Sequence, residues 1–223
     1  MAGELGSSRG LAGTAPAAWW RVRAAAGIAG PVAFTTAWVA STLRQDGYAV
    51  AREQLSGLAA PDARDPWVMT TGFLTLGVSV ALFASALEET LGGRRRAGPG
   101  PMLVRLAGLG VIAAGLLRRD QMLLPPPEDA VPQSWVNDGH DLSSLVVYAA
   151  LAAAPLVLAR RLAADPAWRP LAVPTLATGL VNLVLLGLFA SKVVEPWNGI
   201  VQRVAVTLPL AWMVVVATRL LRH

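Results

Sequence analysis

Long apolar runs alternate with short polar breaks along the whole chain. The runs cover residues 24–43, 67–87, 102–117, 141–159, 170–191 and 198–218. A helix needs about 20 mostly apolar residues to cross the hydrocarbon core of a bilayer, so each run reads as a span. The third is the shortest and carries Arg105 near its start, where a long side chain can snorkel. The pattern predicts an all-α polytopic membrane protein with six transmembrane helices in one bundle. Pro31, directly after Gly30, is expected to bend the first span. Gly108, Gly110, Ala114 and Gly115 give the third a small face for close helix packing.

The breaks are of two kinds. Residues 88–101 and 160–169 form short loops with clustered arginines. Residues 44–66 and 118–137 are longer and mix acids with bases. In the first long loop, Tyr48 to Ser56 has some helical character. In the second, Pro125, Pro126 and Pro127 exclude a helix interior. Asn137 or Asp138 is positioned to cap the fourth span. Residues 1–18, rich in Gly, Ala and Ser, read as a disordered cytoplasmic tail, leaving 19–223 as one domain.

Composition agrees with a membrane setting. Hydrophobic residues make up 54% of the 223 and charged residues 15%, with a mean hydropathy of +0.50; globular domains carry about 25% charged residues. The net charge of +5 does not point to nucleic acid, because the arginines sit in clusters between apolar runs, not on one basic face. There is no cysteine, which excludes disulfides and thiolate metal sites. Arg21, Arg23, Arg94, Arg95, Arg96, Arg160, Arg161, Arg169, Arg219 and Arg222 all fall on one predicted face. The positive-inside rule makes that face cytoplasmic, with both termini on it. Trp67, Trp135 and Trp197 fall near the opposite interface, as an aromatic belt or as pocket walls.

Several short motifs, taken in order, resemble a known family. They are Gly27-Ile-Ala-Gly30-Pro31 in the first span and Gln54-Leu55-Ser56-Gly57-Leu58 before the second. Ala114-Gly115-Leu116-Leu117 follows, leading to Asp120, then His140 at the fourth span, and Gln202-Arg203-Val204 with Trp212 in the sixth. In this order they resemble the bacterial membrane proteins grouped as domain of unknown function 998. His140-Asp141 stands where those proteins often have His-Gly. The resemblance implies a bacterial plasma membrane protein and assigns no activity.

Candidate chemistry gathers at the outward ends of the spans: Arg52, Glu53 and Ser56, Arg119 and Asp120, His140 and Asp141, Lys192 and Glu195, and Arg203. Arg203 lies about a turn inside the sixth span and calls for a carboxylate, with Asp120, Asp141 or Glu195 available. One reading is an ion-pair network that pins helix ends together. Another is an outward-facing polar pocket for a lipid or small hydrophobic molecule, with Arg52, Ser56, Arg119, Glu195 and Arg203 as ligand-binding residues. A third is a membrane-embedded acid/base enzyme on an isoprenoid or lipid, with Asp120, His140 and Asp141 as its acid and base groups. Ser56 with His140 and an Asp has the composition of a nucleophilic set but lacks the glycine pattern of a nucleophile elbow. A small transporter is the last alternative, though no internal repeat supports it. Membrane lipids are the expected partners. No metal and no cofactor is expected, although Asp, Glu and His140 leave a hard metal open.

Overall fold

The computed structural model of the chain describes residues 14–123, 132–191 and 193–222. The described residues hold seven α-helices: α1 Thr14–Arg44, α2 Pro66–Thr90, α3 Arg94–Ala97, α4 Gly100–Leu116, α5 Trp135–Ala163, α6 Ala172–Ser191 and α7 Asn198–Leu221. Short 3-10 turns form at Leu55–Ala59, Arg169–Leu171 and Glu195–Trp197, and there is no strand among the described residues. Five helical stretches are long and apolar enough to cross a membrane: 18–44, 66–90, 135–163, 169–191 and 195–221. α4, at 17 residues, is shorter and rises only about 25 Å. Five long spans therefore stand where six were expected.

Element boundaries depart from expectation at two places. α1 begins at Thr14, within the stretch read as a tail, whose first 13 residues lie outside the described ones. α5 begins at Trp135, so Asn137 to Asp141 are its first turns and not its cap. The cap is Ser134, whose side chain accepts the Asn137 amide at 3.3 Å. The Pro125–Pro127 run lies outside the described residues.

The six longer helices form a closed ring. α1 packs on α2, α2 on α4, α4 on α5, α5 on α6, α6 on α7, and α7 returns to α1. Small residues set the closest approach. A Cβ on Gly77 would lie 2.6 Å from the Gly108 carbonyl oxygen, and one on Gly108 would lie 2.7 Å from the Gly77 oxygen. Neither position accepts a side chain without parting α2 from α4, which is the small-residue packing membrane helices use.

The polarity of α6 is inverted relative to a helix in water. Thr175, Thr178, Gly179 and Asn182 are its buried residues, while Val173, Leu176, Leu180, Val181, Leu183 and Val184 are exposed. A soluble helix turns its apolar stripe to the core; this one turns it outward, as apolar surroundings require. At the arginine-rich end, Arg105 reaches across to α2, and its Nη2 meets Glu88 Oε2 at 2.8 Å. Arg23 pairs with Glu89 at the same end.

Candidate functional site

The long-loop end of the ring is closed by a roof. The 3-10 turn Leu55–Ala59 is buried along its whole length, tucked between the helices. Backbone buried in this way must find partners, and α7 supplies them. Gln202 Oε1 accepts the Leu55 amide at 2.6 Å. Arg203 Nη1 lies within hydrogen-bond reach of the carbonyl oxygens of Val50 (2.9 Å), Glu53 (3.0 Å) and Gly199 (2.9 Å). Its Nη2 donates to the Tyr48 hydroxyl at 2.8 Å, and that hydroxyl donates on to the Gln54 carbonyl at 2.9 Å. The guanidinium carbon stands 5.7 Å from the Trp38 ring centroid and 5.5 Å from that of Tyr48, within cation–π range. Burial pushes the Tyr48 phenol up, against the nearby Arg203 charge. Gly199 brings α7 in close: a Cβ there would strike the carbonyl oxygens of Val50 and Glu53.

The expected carboxylate partner of Arg203 is therefore corrected. Carbonyl dipoles and two aromatic faces hold it, and no ion pair forms with it among the described residues. The planar fork of arginine suits several acceptors at once. Glu53, 2% exposed, pairs instead with the outward-lying Arg52, whose Nε stands 2.8 Å from Oε1.

The second junction joins α4 to α5. His140 is 2% exposed, and its Nδ1 lies 2.9 Å from the Ala114 carbonyl and 2.8 Å from that of Leu117. Carbonyls only accept, so Nδ1 carries the proton, shared between two orphan acceptors at the α4 C-terminus. Nε2 is left to accept from the Ser144 hydroxyl at 3.4 Å. Asp120 takes the Ser134 amide on Oδ2 at 2.7 Å and the Ser134 hydroxyl on Oδ1 at 2.6 Å. These two bonds hold its carboxyl below the usual range, the hydroxyl contributing most. Asn137 accepts the Asp120 amide and donates to Asp141 at 3.1 Å. Arg119 is 5% exposed and donates to Gln54 Oε1 at 2.8 Å. Burial pushes the Arg119 guanidinium down from its ordinary value, opposed first by the charge of Asp141.

Beneath this roof lies a cavity of about 50 Å³ between α1, α2, α4, α5 and α7. Its wall is mostly apolar, not polar as expected, with Phe34, Phe73, Val111 and Ala114 among its residues. The polar groups in the wall are Ser56, Ser144, Tyr148 and Gln202. All four are neutral, and no carboxylate or cation belongs to the lining. The Gln202 amide is oriented by the Leu55 amide that its Oε1 accepts.

Of the residues expected to form one site, Ser56 reaches the cavity. His140 stands one hydrogen bond behind it, through Ser144. Asp120 and Asp141 belong to the helix-capping network, while Arg119 and Arg203 bind the roof from outside the cavity wall. Arg52 is exposed over Glu53, and Glu195 is exposed in the turn before α7 with no ion pair among the described residues. Lys192 lies outside the described residues. Trp67, Trp135 and Trp197 are all exposed at the long-loop end, as a belt would be, and none lines the cavity. The described residues bring no three His, Asp or Glu side chains together in a metal-binding arrangement.

Tyr48, Ser144, Tyr148 and Gln54 were missed from sequence. Ser144 had a usable signal, since it stands four residues after His140 and so on the same helical face. Gln54 stands at the head of the Gln54–Leu58 motif, but its contact with Arg119, like that of Tyr48 with Arg203, exists only in the tertiary structure.

The family model for "Protein of unknown function (DUF998)" matches residues 28–219. No curated protein and no solved structure matches the chain. The chain belongs to the DUF998 family.

Proposed function

For this member of the DUF998 family, we propose a six-span integral protein of the bacterial plasma membrane with both termini cytoplasmic. It binds a lipid or small hydrophobic molecule through the cavity beneath the roof. The sixth span is α4. It packs between α2 and α5, both of membrane length, and so shares their depth in the ring. An even number of spans also returns the C-terminal arginines to the face of the other basic loops, in keeping with the positive-inside rule. The roof then faces outward.

The observation that carries the ligand reading is the cavity wall itself: apolar surface with four neutral polar groups, one of them an amide held in a fixed orientation. Size narrows the choice. Sites that enclose a drug-sized molecule run to about 300–1,000 Å³, so about 50 Å³ suits a chain end or a small headgroup, with the rest of a lipid lying outside. Neutral lining favours a hydroxyl or ester carbonyl over a phosphate or carboxylate, because a buried anion needs a cation beside it. The acid/base enzyme reading loses support, since Asp120 is occupied by Ser134 away from the cavity.

The experiment is mass spectrometry of small molecules retained by the protein in native-lipid nanodiscs, wild type beside Ala114→Leu, which fills the cavity. A defined neutral species present in wild type and absent from the variant supports the reading. Identical bulk lipid in both samples sinks it.

A further inference from the structure

A second lipid-facing feature lies on the opposite end of the ring, between α6 and α7. An apolar hollow of about 200 Å³ is lined by Pro174, Thr178, Leu208, Ala211 and others. It shares Leu171 and Val215 with a second hollow of about 290 Å³ whose rim carries Arg219 and Arg222. The two form one groove running down α7 from Leu208 to Arg222. Over that stretch the helix rises about 21 Å. Half a bilayer, headgroups included, measures about 20–22 Å.

The arginines end the groove at headgroup depth. Neither forms an ion pair among the described residues. Arg219 Nη2 donates to the Ala167 carbonyl at 2.7 Å, while its Nε is buried without a partner. Arg222 is exposed. An apolar trough one leaflet long, ending in two cations with donors to spare, fits a molecule with an acyl chain and an anionic head. A second copy of this chain fits badly. A two-fold pairing through the groove would set Arg219 and Arg222 against the same arginines of the other copy.

We propose that the α6–α7 groove is a binding site for an anionic phospholipid of the cytoplasmic leaflet. One acyl chain lies along Leu208, Ala211 and Val215, and the phosphate sits on Arg219 and Arg222. The site rests on the membrane reading above and not on the ligand of the central cavity. Basic residues at a membrane surface contribute about fivefold each to anionic-lipid binding, so the pair should favour an anionic head over a zwitterionic one by about 10- to 25-fold.

The test uses the full chain in phosphatidylcholine nanodiscs carrying a trace of photoreactive lipid, diazirine in the acyl chain, with either a phosphatidylglycerol or a phosphatidylcholine head. In wild type, the phosphatidylglycerol probe should label Leu208 to Val215 and the facing residues of α6, at about ten times or more the yield of the other probe. Arg222→Gln, at an exposed position whose side chain forms no ion pair among the described residues, should lower the anionic yield about fivefold and the zwitterionic yield, whose choline offsets the phosphate charge, by less. Ala211→Trp, which fills the trough without touching charge, should abolish labelling there by both probes. Equal yields from the two heads in wild type, or adducts spread evenly around the ring, would overturn the site while leaving membrane embedding intact. Absence of any acyl-chain labelling would overturn the membrane reading itself. A wild-type dimer whose cross-links map to the groove would assign that face to a second copy and overturn the lipid site.

Discussion

Arg203 Nη2 donates to the Tyr48 hydroxyl at 2.8 Å while the guanidinium lies 5.5 Å from the centroid of the same ring. One residue of α7 thus grips a loop from the far end of the chain by its hydroxyl, its aromatic face and its neighbouring carbonyls. The cation stabilises buried backbone by donating to it, where an ion pair was expected.

Arg203→Lys keeps the charge and loses the fork. A lysine ammonium cannot serve Tyr48 and three carbonyls from one position, so roof acceptors are left buried without donors, each costing about 1–3 kcal/mol. A loss of about 2 kcal/mol lowers the unfolding midpoint by roughly 4–8 °C for a chain of this size. Arg64→Gln, whose guanidinium stands 3.9 Å from the fully exposed Asp46, should change it little. Thermal unfolding in a single detergent compares the three proteins. Equal midpoints for Arg203→Lys and Arg64→Gln would contradict the latch.

His140 should be found as the Nδ1–H tautomer. The chain has two histidines, His140 and His223, so nitrogen NMR of ring-labelled protein resolves them readily. A protonated Nδ1 and a bare Nε2 at neutral pH are expected for His140. The reverse assignment is incompatible with donation to Ala114 and Leu117. His140→Phe removes that donor and should destabilise the α4–α5 junction by about 1–3 kcal/mol.

Gly108→Val tests the approach of α2 and α4. Any Cβ there meets the Gly77 carbonyl oxygen and the Ala81 amide nitrogen, both backbone atoms that cannot swing aside. Overpacking of this kind costs about 1–3 kcal/mol. Gly187→Val, at a position with open space around it, is the control. Size-exclusion yield of monodisperse protein should fall for the first and hold for the second.

Acid stability should depend on Ser134. The Asp120 carboxyl is held below its ordinary value of about 3.9, so its ionised form stabilises the fold above that pH. The contribution is lost as pH falls from there through the lower folded value. Ser134→Ala also removes the α5 cap, a loss of about 1 kcal/mol at every pH. The distinguishing readout is therefore the acid limb: the stability gap between wild type and variant, measured above pH 5, should narrow as pH falls through the Asp120 range, leaving only the constant loss of the cap. Parallel curves throughout would mean the Asp120–Ser134 bond carries no proton linkage.

The sequence by itself determined the helices, their apolar character and the separation of basic from mixed loops. Bilayer-length hydrophobicity and arginine clustering are local properties of the chain. It also placed Ser56, His140, Gln202 and Arg203 in motifs that do meet at the long-loop end. Only the tertiary structure decided what each of them touches. From composition, Arg203 and Asp120 look like natural partners, since unlike charges attract. In the fold, Arg203 faces the carbonyls of Val50 and Glu53, and Asp120 faces Ser134. The physical reason is that buried backbone groups are more numerous than buried charges, and each demands a partner at a fixed place. Where a loop is drawn between helices, its unpaired carbonyls and amides claim the nearest strong donors and acceptors, and those distances exist only once the ring has closed.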